Sequence, residues 1–215
     1  AVNVVAMAGG AGNPLLQTVL DAIDNTWFTN LVTPWSDATN LAAAADWLRT
    51  RYLATSKLDC RMFCGKAGTC AQQATLGDIT NSAFIHHLGL NKSPSNSWAI
   101  SAALAGVASQ QLNNDPARQL RSLILPGIIA PDAVDVFTDE ENDHLLRHGI
   151  STVVCLPDGT VTLSRVISTY KLTSLGIADR AWMDIMVPAT VSRVRYDWSA
   201  YISLMYPRSK LVDDD

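Results

Sequence analysis

A chain of 215 residues that is 48% hydrophobic and 17% charged can bury a substantial core, since domains of roughly 150 residues and more hide about 70% of their extended surface. A single globular domain is therefore the default expectation, and a net charge of −4 lacks the clustered excess of Lys and Arg that a nucleic-acid surface requires. No run of about 18 apolar residues occurs, and residues 1–10 have neither a basic nor an apolar signal-peptide region, so a soluble protein made in a cytoplasm is expected, with no direct contact to nucleic acid or membrane.

In chain order, residues 2–7 are short, apolar and β-branched and read as a buried strand. Gly9, Gly10, Gly12 and Pro14 then turn the chain into a helix running to about residue 24. Residues 27–32 form a second strand, and Ser36 caps a helix in which Leu41, Ala44, Leu48 and Tyr52 keep helical spacing. A short strand over 61–64, a short helix over 69–76 and a strand over 83–88 follow. Ser97 caps a small-residue helix through Ile100, Leu104 and Val107 to Leu112. Strands alternating with helices at these intervals predict an α/β fold, a mostly parallel open sheet with helices on both faces. Residues 113–116 are a polar break, 123–125 a fifth strand, and 126–131 an irregular link.

The next stretch carries the most explicit local signals. Thr138 and Glu141 stand at capping-box spacing, and Asp139, Glu140 and Glu141 suit the positive end of a helix dipole. Gly149 supplies the left-handed residue after the last turn. Residues 150–156 and 161–170 are rich in β-branched residues and are hinged at Asp158-Gly159, which predicts an antiparallel hairpin. A final helix has Pro188 in its first turn and an apolar stripe of Val191, Val194, Trp198, Tyr201, Ile202 and Met205, and Pro207 ends it.

Each candidate for chemistry meets a plainer account. Gly68-Thr69-Cys70-Ala71 is similar to the string around a subtilase nucleophile with Cys for Ser, but nucleophilic catalysis needs a positioned base, and no His precedes Cys70 as the subtilase order demands. Gly10-Ala11-Gly12 could begin a dinucleotide fingerprint, yet Leu15 occupies the third glycine position. Gly65-Lys66-Ala67-Gly68-Thr69 lacks the upstream glycine of a phosphate loop. His144 and His148 could ligate a metal from one helix face, but Leu145 stands where a zincin has Glu, and a basic residue near a helix end has a dipole reason to be there. His86 and His87 in a strand face opposite sides of the sheet. Cys60, Cys64 and Cys70 could hold a soft metal, although small buried thiols are the commoner case; with Cys155 they lack disulfide spacing and are expected to be reduced. Arg193 and Arg195 read as a surface or subunit-contact pair. No catalytic, cofactor-binding or metal residue is assigned, and a non-enzyme without cofactors is expected.

The order of motifs also carries a resemblance. The capped helix followed by Gly149-Ile150-Ser151-Thr152, Asp158-Gly159-Thr160-Val161, Arg165-Val166-Ile167-Ser168-Thr169-Tyr170 and Gly176-Ile177-Ala178-Asp179 resembles the Mu-type contractile tail sheath protein of phages and prophages. Trp182-Met183-Asp184-Ile185, Thr190-Val191-Ser192 and Tyr206-Pro207-Arg208-Ser209-Lys210-Leu211-Val212-Asp213-Asp214 continue it at about the family's spacing. Residues 124–215 are the more specific part; earlier, Thr26-Trp27-Phe28 and Pro34-Trp35-Ser36-Asp37-Ala38 are the suggestive points. The resemblance implies a subtilisin-like, doubly wound core over 1–215, a fragment without the terminal arms that add strands to neighbouring subunits. It implies a structural subunit of stacked hexameric rings around a tail tube, with baseplate and tail terminator as further partners, located in the virion after assembly in a bacterial host cytoplasm. Contraction would drive the tube through the host envelope for DNA ejection, and the fragment alone is expected to be a monomer. The alternatives are the sheath of a pyocin-like injection particle and a small-molecule-binding or hydrolytic α/β domain.

Overall fold

The computed structural model describes residues 12–23 and 25–207; the strand expected over 2–7 lies outside them. The first element is α1 (Leu16–Ile23). Its start is tied to the next helix, because Asn40 accepts from the Leu16 amide and donates to the Pro14 carbonyl. Strand β1 (Asn30–Val32) is shorter than the 27–32 expected, since Trp27 turns aside to donate its indole N–H to the Asp59 carbonyl. Helix α2 (Ala38–Arg51) is capped by Asp37, whose side chain accepts from the Asn40 amide; the expected cap, Ser36, is buried instead.

Strand β2 (Arg61–Ala67) runs three residues past the expected end, α3 (Cys70–Gly77) begins in a capping box between Thr69 and Gln72, and β3 (Ile85–Leu90) is buried throughout. Helix α4 (Ser97–Asn114) has Asn96 at its cap position in place of Ser97. A 3-10 turn (Ala133–Asp135) precedes α5 (Asp139–Arg147), which shows both halves of the Thr138–Glu141 box. Strands β4 (Ile150–Cys155) and β5 (Val161–Arg165) make the expected hairpin, and α6 (Met186–Met205) closes the described chain.

The sheet order is β1-β2-β3-β4-β5, parallel from β1 to β4 and antiparallel at β5. One face carries Met62, Cys64 and Ile85 against Leu16 and Leu20 of α1 and Leu41, Ala44 and Leu48 of α2. The other carries Phe63, Leu88 and Leu90 against Ile100, Leu104 and Ala108 of α4. The fold is therefore α/β with helices on both faces, as alternating strand and helix patterns require. Gly65 belongs to this packing, because a Cβ there would meet the side chain of Ile100.

Two further expectations are corrected. Residues 123–125 form no full strand: Ile124 makes an isolated antiparallel bridge to Thr162, flanked by Ser122, Leu123 and Leu125 bonds to β5, and so covers that edge. Strand β5 stops at Arg165 and not at 170, because the chain then leaves the hairpin to bond Met183 through Ser168 and Ile85 through Thr169. No helix among the described residues is long and apolar enough to cross a membrane.

Candidate functional site

Sheet register brings together a set of side chains that no linear motif announces. Cys64 and His87 are direct partners across β2 and β3, so their side chains leave the same face. The Cys64 Sγ lies 3.1 Å from His87 Nδ1, His87 Nε2 lies 3.2 Å from Gln73 Oε1, and Gln73 Nε2 donates to the Lys66 carbonyl at 2.6 Å. An amide oxygen can only accept, so Nε2 carries the imidazole proton and Nδ1 receives the thiol. The order thiol, imidazole, amide matches that of a cysteine hydrolase. Its electrostatics oppose such chemistry, however: burial pushes the Cys64 thiol up to about 12 and the His87 imidazolium down to about 4, and all three side chains are closed to solvent. A neutral relay that links α3 to the sheet satisfies three buried polar groups.

The other candidates fall apart in space. Cys70 opens α3, and Thr69 before it is a helix cap; burial and the nearby Glu141 carboxylate both raise its pKa, which disfavours a nucleophilic thiolate. His86 faces the sheet side opposite His87, packed on Phe63 and bonded to the Ile167 carbonyl. The His144 and His148 rings meet at a tilt with centroids 4.4 Å apart, and His148 bonds Asp78 at 2.7 Å. Among the described residues no group of three or more His, Cys, Asp or Glu is arranged to hold a metal. Gly10 and Ala11 lie outside the described residues.

The segment richest in family-like motifs works as a stitch. Lys171 Nζ donates to the Gly77 carbonyl and to Asp78, at the end of α3, and to the His148 carbonyl at the end of α5, placing a cation where both helix dipoles are negative. Burial alone would raise the Asp78 carboxyl, but the hydrogen bonds from Lys171 and His148 hold it below the usual range. Thr169 joins Thr80 and Ser82, Asn81 accepts from the Lys171 and Leu172 amides, Tyr170 donates to Asp179, and Arg165 grips Asp184 through two 2.9 Å bonds.

A sizeable concavity lies elsewhere. A groove of about 730 Å³ runs between α4, α6 and the amino ends of β1 and β2, with Trp27, Leu112, Ala189, Tyr196, Trp198 and Ile202 among its walls. The second half of α6 is exposed, with Trp198 at 69% and Tyr201, Ile202 and Met205 all above half. The apolar stripe of α6 is thus largely uncovered, and of α6 only Pro188 and Ala189 are fully buried. Arg195 is no free surface cation: it bonds Asp59 at 2.9 and 3.1 Å and the Tyr52 carbonyl at 3.0 Å, and stacks on the Tyr52 ring. Burial pushes the Asp59 carboxyl up, opposed by a Ser192 hydrogen bond and by the charge of Arg195. Arg193 remains on the surface beside Asp197.

No family model matches. Over 211 residues, 98% of this chain, the sequence is 26% identical to the Mu-like prophage FluMu tail sheath protein of Haemophilus influenzae. A sheath tail protein from Desulfitobacterium hafniense shares the fold, with a TM-score of 0.65 at 12% identity over 96% of this chain. By sequence and by fold, this chain resembles tail sheath proteins. The helical sheath of the anti-feeding prophage in its contracted state is a further match, with a TM-score of 0.59 at 17% identity over 93% of the chain. The chain spans 43% of the Haemophilus sheath protein and 47% and 53% of the two solved sheath chains, about half of a sheath polypeptide.

Proposed function

We propose that this chain is the α/β body of a contractile tail sheath subunit, one that stacks in hexameric rings around a tail tube and shortens to drive the tube through a host envelope for DNA ejection. The observation that carries this reading is the sequence likeness to a tail sheath protein along 98% of the chain. The chemistry of the body supports it. A subunit displaced as a whole needs internal rigidity, and the polar groups best placed for reaction, Cys64, His87 and Gln73, are sealed in the packing between α3 and the sheet. On this reading the protein is not an enzyme, its partners are neighbouring subunits, the tail tube, the baseplate and the tail terminator, and it assembles in the host cytoplasm before residing in the virion tail.

Immunogold electron microscopy of the particles made by the source cell tests this. Antibody raised against the purified chain is expected to decorate the tail along its length in extended and contracted particles. Label confined to the head, the fibres or soluble protein overturns the reading. The likeness to the anti-feeding prophage sheath favours a second reading, a phage-derived injection particle, and the same micrographs separate the two, because only the phage carries a DNA-filled head. A small-molecule-binding α/β domain would use the carboxyl ends of its parallel strands; the groove of about 730 Å³ lies at the amino ends.

A further inference from the structure

The two ends of the sheet carry complementary surfaces. At the amino end, the apolar groove between α4 and α6 is bordered by Lys57, Arg61, Arg193 and Arg195 against the single carboxylate Asp59. Arg195 neutralises Asp59 and Asp197 engages Arg193, so the rim remains cationic. At the carboxyl end, Asn91 and Lys92, just beyond β3, hold Asp135 of the 3-10 turn. That turn lifts Val134 into solvent at 91% exposure. Ile129, tied through Ser93 and Ser95 to the same loop, is also exposed. Around this apolar knob stand Asp132, Asp139 and Glu140, all exposed and without an ion pair among the described residues.

An apolar groove with a cationic rim and an apolar knob with an anionic rim are each commonplace singly. Together on one chain, a protruding corner and a recess carry rims of opposite sign. An unrelated acidic partner would fill the groove but would leave the anionic knob at the opposite end without a counterpart, whereas a second copy accounts for both. We propose that the Val134 corner of one copy docks in the α4–α6 groove of the next, with Val134 on the floor formed by Leu112, Trp198 and Ile202. The groove is several times larger than one valine side chain and admits the turn that carries it. Because the two surfaces differ and sit at opposite ends of the sheet, the contact is head-to-tail, and repetition generates a ring or a helical stack. The contact deepens the sheath reading by naming the surfaces through which neighbouring subunits touch. A contact with a dissociation constant on the order of 0.1–1 mM leaves the chain monomeric at micromolar concentration.

Sedimentation velocity of the purified chain up to about 1 mM, at low salt and in about 0.5 M salt, tests the contact. Association is expected to appear with concentration at low salt and to weaken in high salt. Lys57→Glu with Arg193→Glu reverses the groove rim, and Asp132→Lys with Glu140→Lys reverses the corner. Either pair alone is expected to weaken association at least about tenfold, and mixing the two variants to restore it. Val134→Asp is expected to weaken it similarly with an unchanged melting temperature, since the side chain is in solvent. Absence of association at the highest concentration, or variants that associate like the unaltered chain, overturns the contact. In the second case another surface joins the copies while the sheath reading, judged by tail labelling, stands; tails that fail to label while the charge swap works overturn the sheath reading and leave the contact.

Discussion

At the scale of single residues, burial decides what the reactive groups do. Cys60 and Cys64 are closed to solvent and their thiols are pushed up to about 12, whereas Cys70 and Cys155 are only half-buried. At pH 8, Ellman's reagent is therefore expected to titrate at most two thiols in the folded chain and all four after denaturation; Cys64 reacting as fast as Cys70 counts against the sealed relay. Burial also lowers His86 to about 3 and His87 to about 4, from an ordinary 6.5. Below pH 6.5 the unfolded chain binds the protons that the folded chain refuses, so stability is full above 6.5 and declines as pH falls toward the folded values. The slope is up to about 1.4 kcal/mol per pH unit for each histidine. Urea unfolding at pH 6.5 and 5 is expected to differ by about 2–4 kcal/mol by that same linkage, and a flat profile between them would contradict the burial. Buried thiols and histidines on opposite sheet faces were legible in the sequence; the relay was not, because Cys64 and His87 meet through strand register and Gln73 reaches them only when α3 packs on the sheet.

At the scale of elements, local chemistry was far more readable. The capping box of α5, the left-handed Gly149 after it and the Asp158-Gly159 hinge all formed where their residue types indicated. Thr138→Ala is expected to lower stability by about 1 kcal/mol, read by thermal melts, since it strips one acceptor from a helix N-terminus. Helix α6 shows the converse: its propensity and its Pro188 start were evident, yet its attachment was not. Arg195 clamps it to Asp59 and Tyr52, so Arg195→Ala leaves a mostly buried carboxylate without its partner, at about 1.5–3 kcal/mol. Hydrogen exchange over 190–205 is expected to accelerate in that variant, while exchange in β2 and β3 changes little. Uniform acceleration would mean that α6 is not anchored at this one point. The residues at 123–125 teach a related lesson. Their short apolar run suited a strand, but pairing partner and direction came from β5.

At the scale of the whole molecule, strands β2 and β3 form a common wall for both cores, one face meeting α1 and α2 and the other α4. Loss of either face exposes the other, so the body is expected to melt in one cooperative calorimetric transition. Two separated transitions would break the picture of a rigid unit displaced as a whole. By itself the sequence determined the α/β class, the approximate course of the helices and the caps of α3 and α5, the hairpin and the likeness to tail sheath proteins, because those depend on dihedral preferences, capping bonds and motif order within a few neighbouring residues. Only the tertiary structure decided that His87 pairs with Cys64, that Lys171 ties two helix ends, that Arg195 turns inward and that the apolar stripe of α6 stays uncovered. Those outcomes depend on contacts between residues from fourteen to more than a hundred positions apart, whose geometry is set by sheet register and packing and not by any local preference.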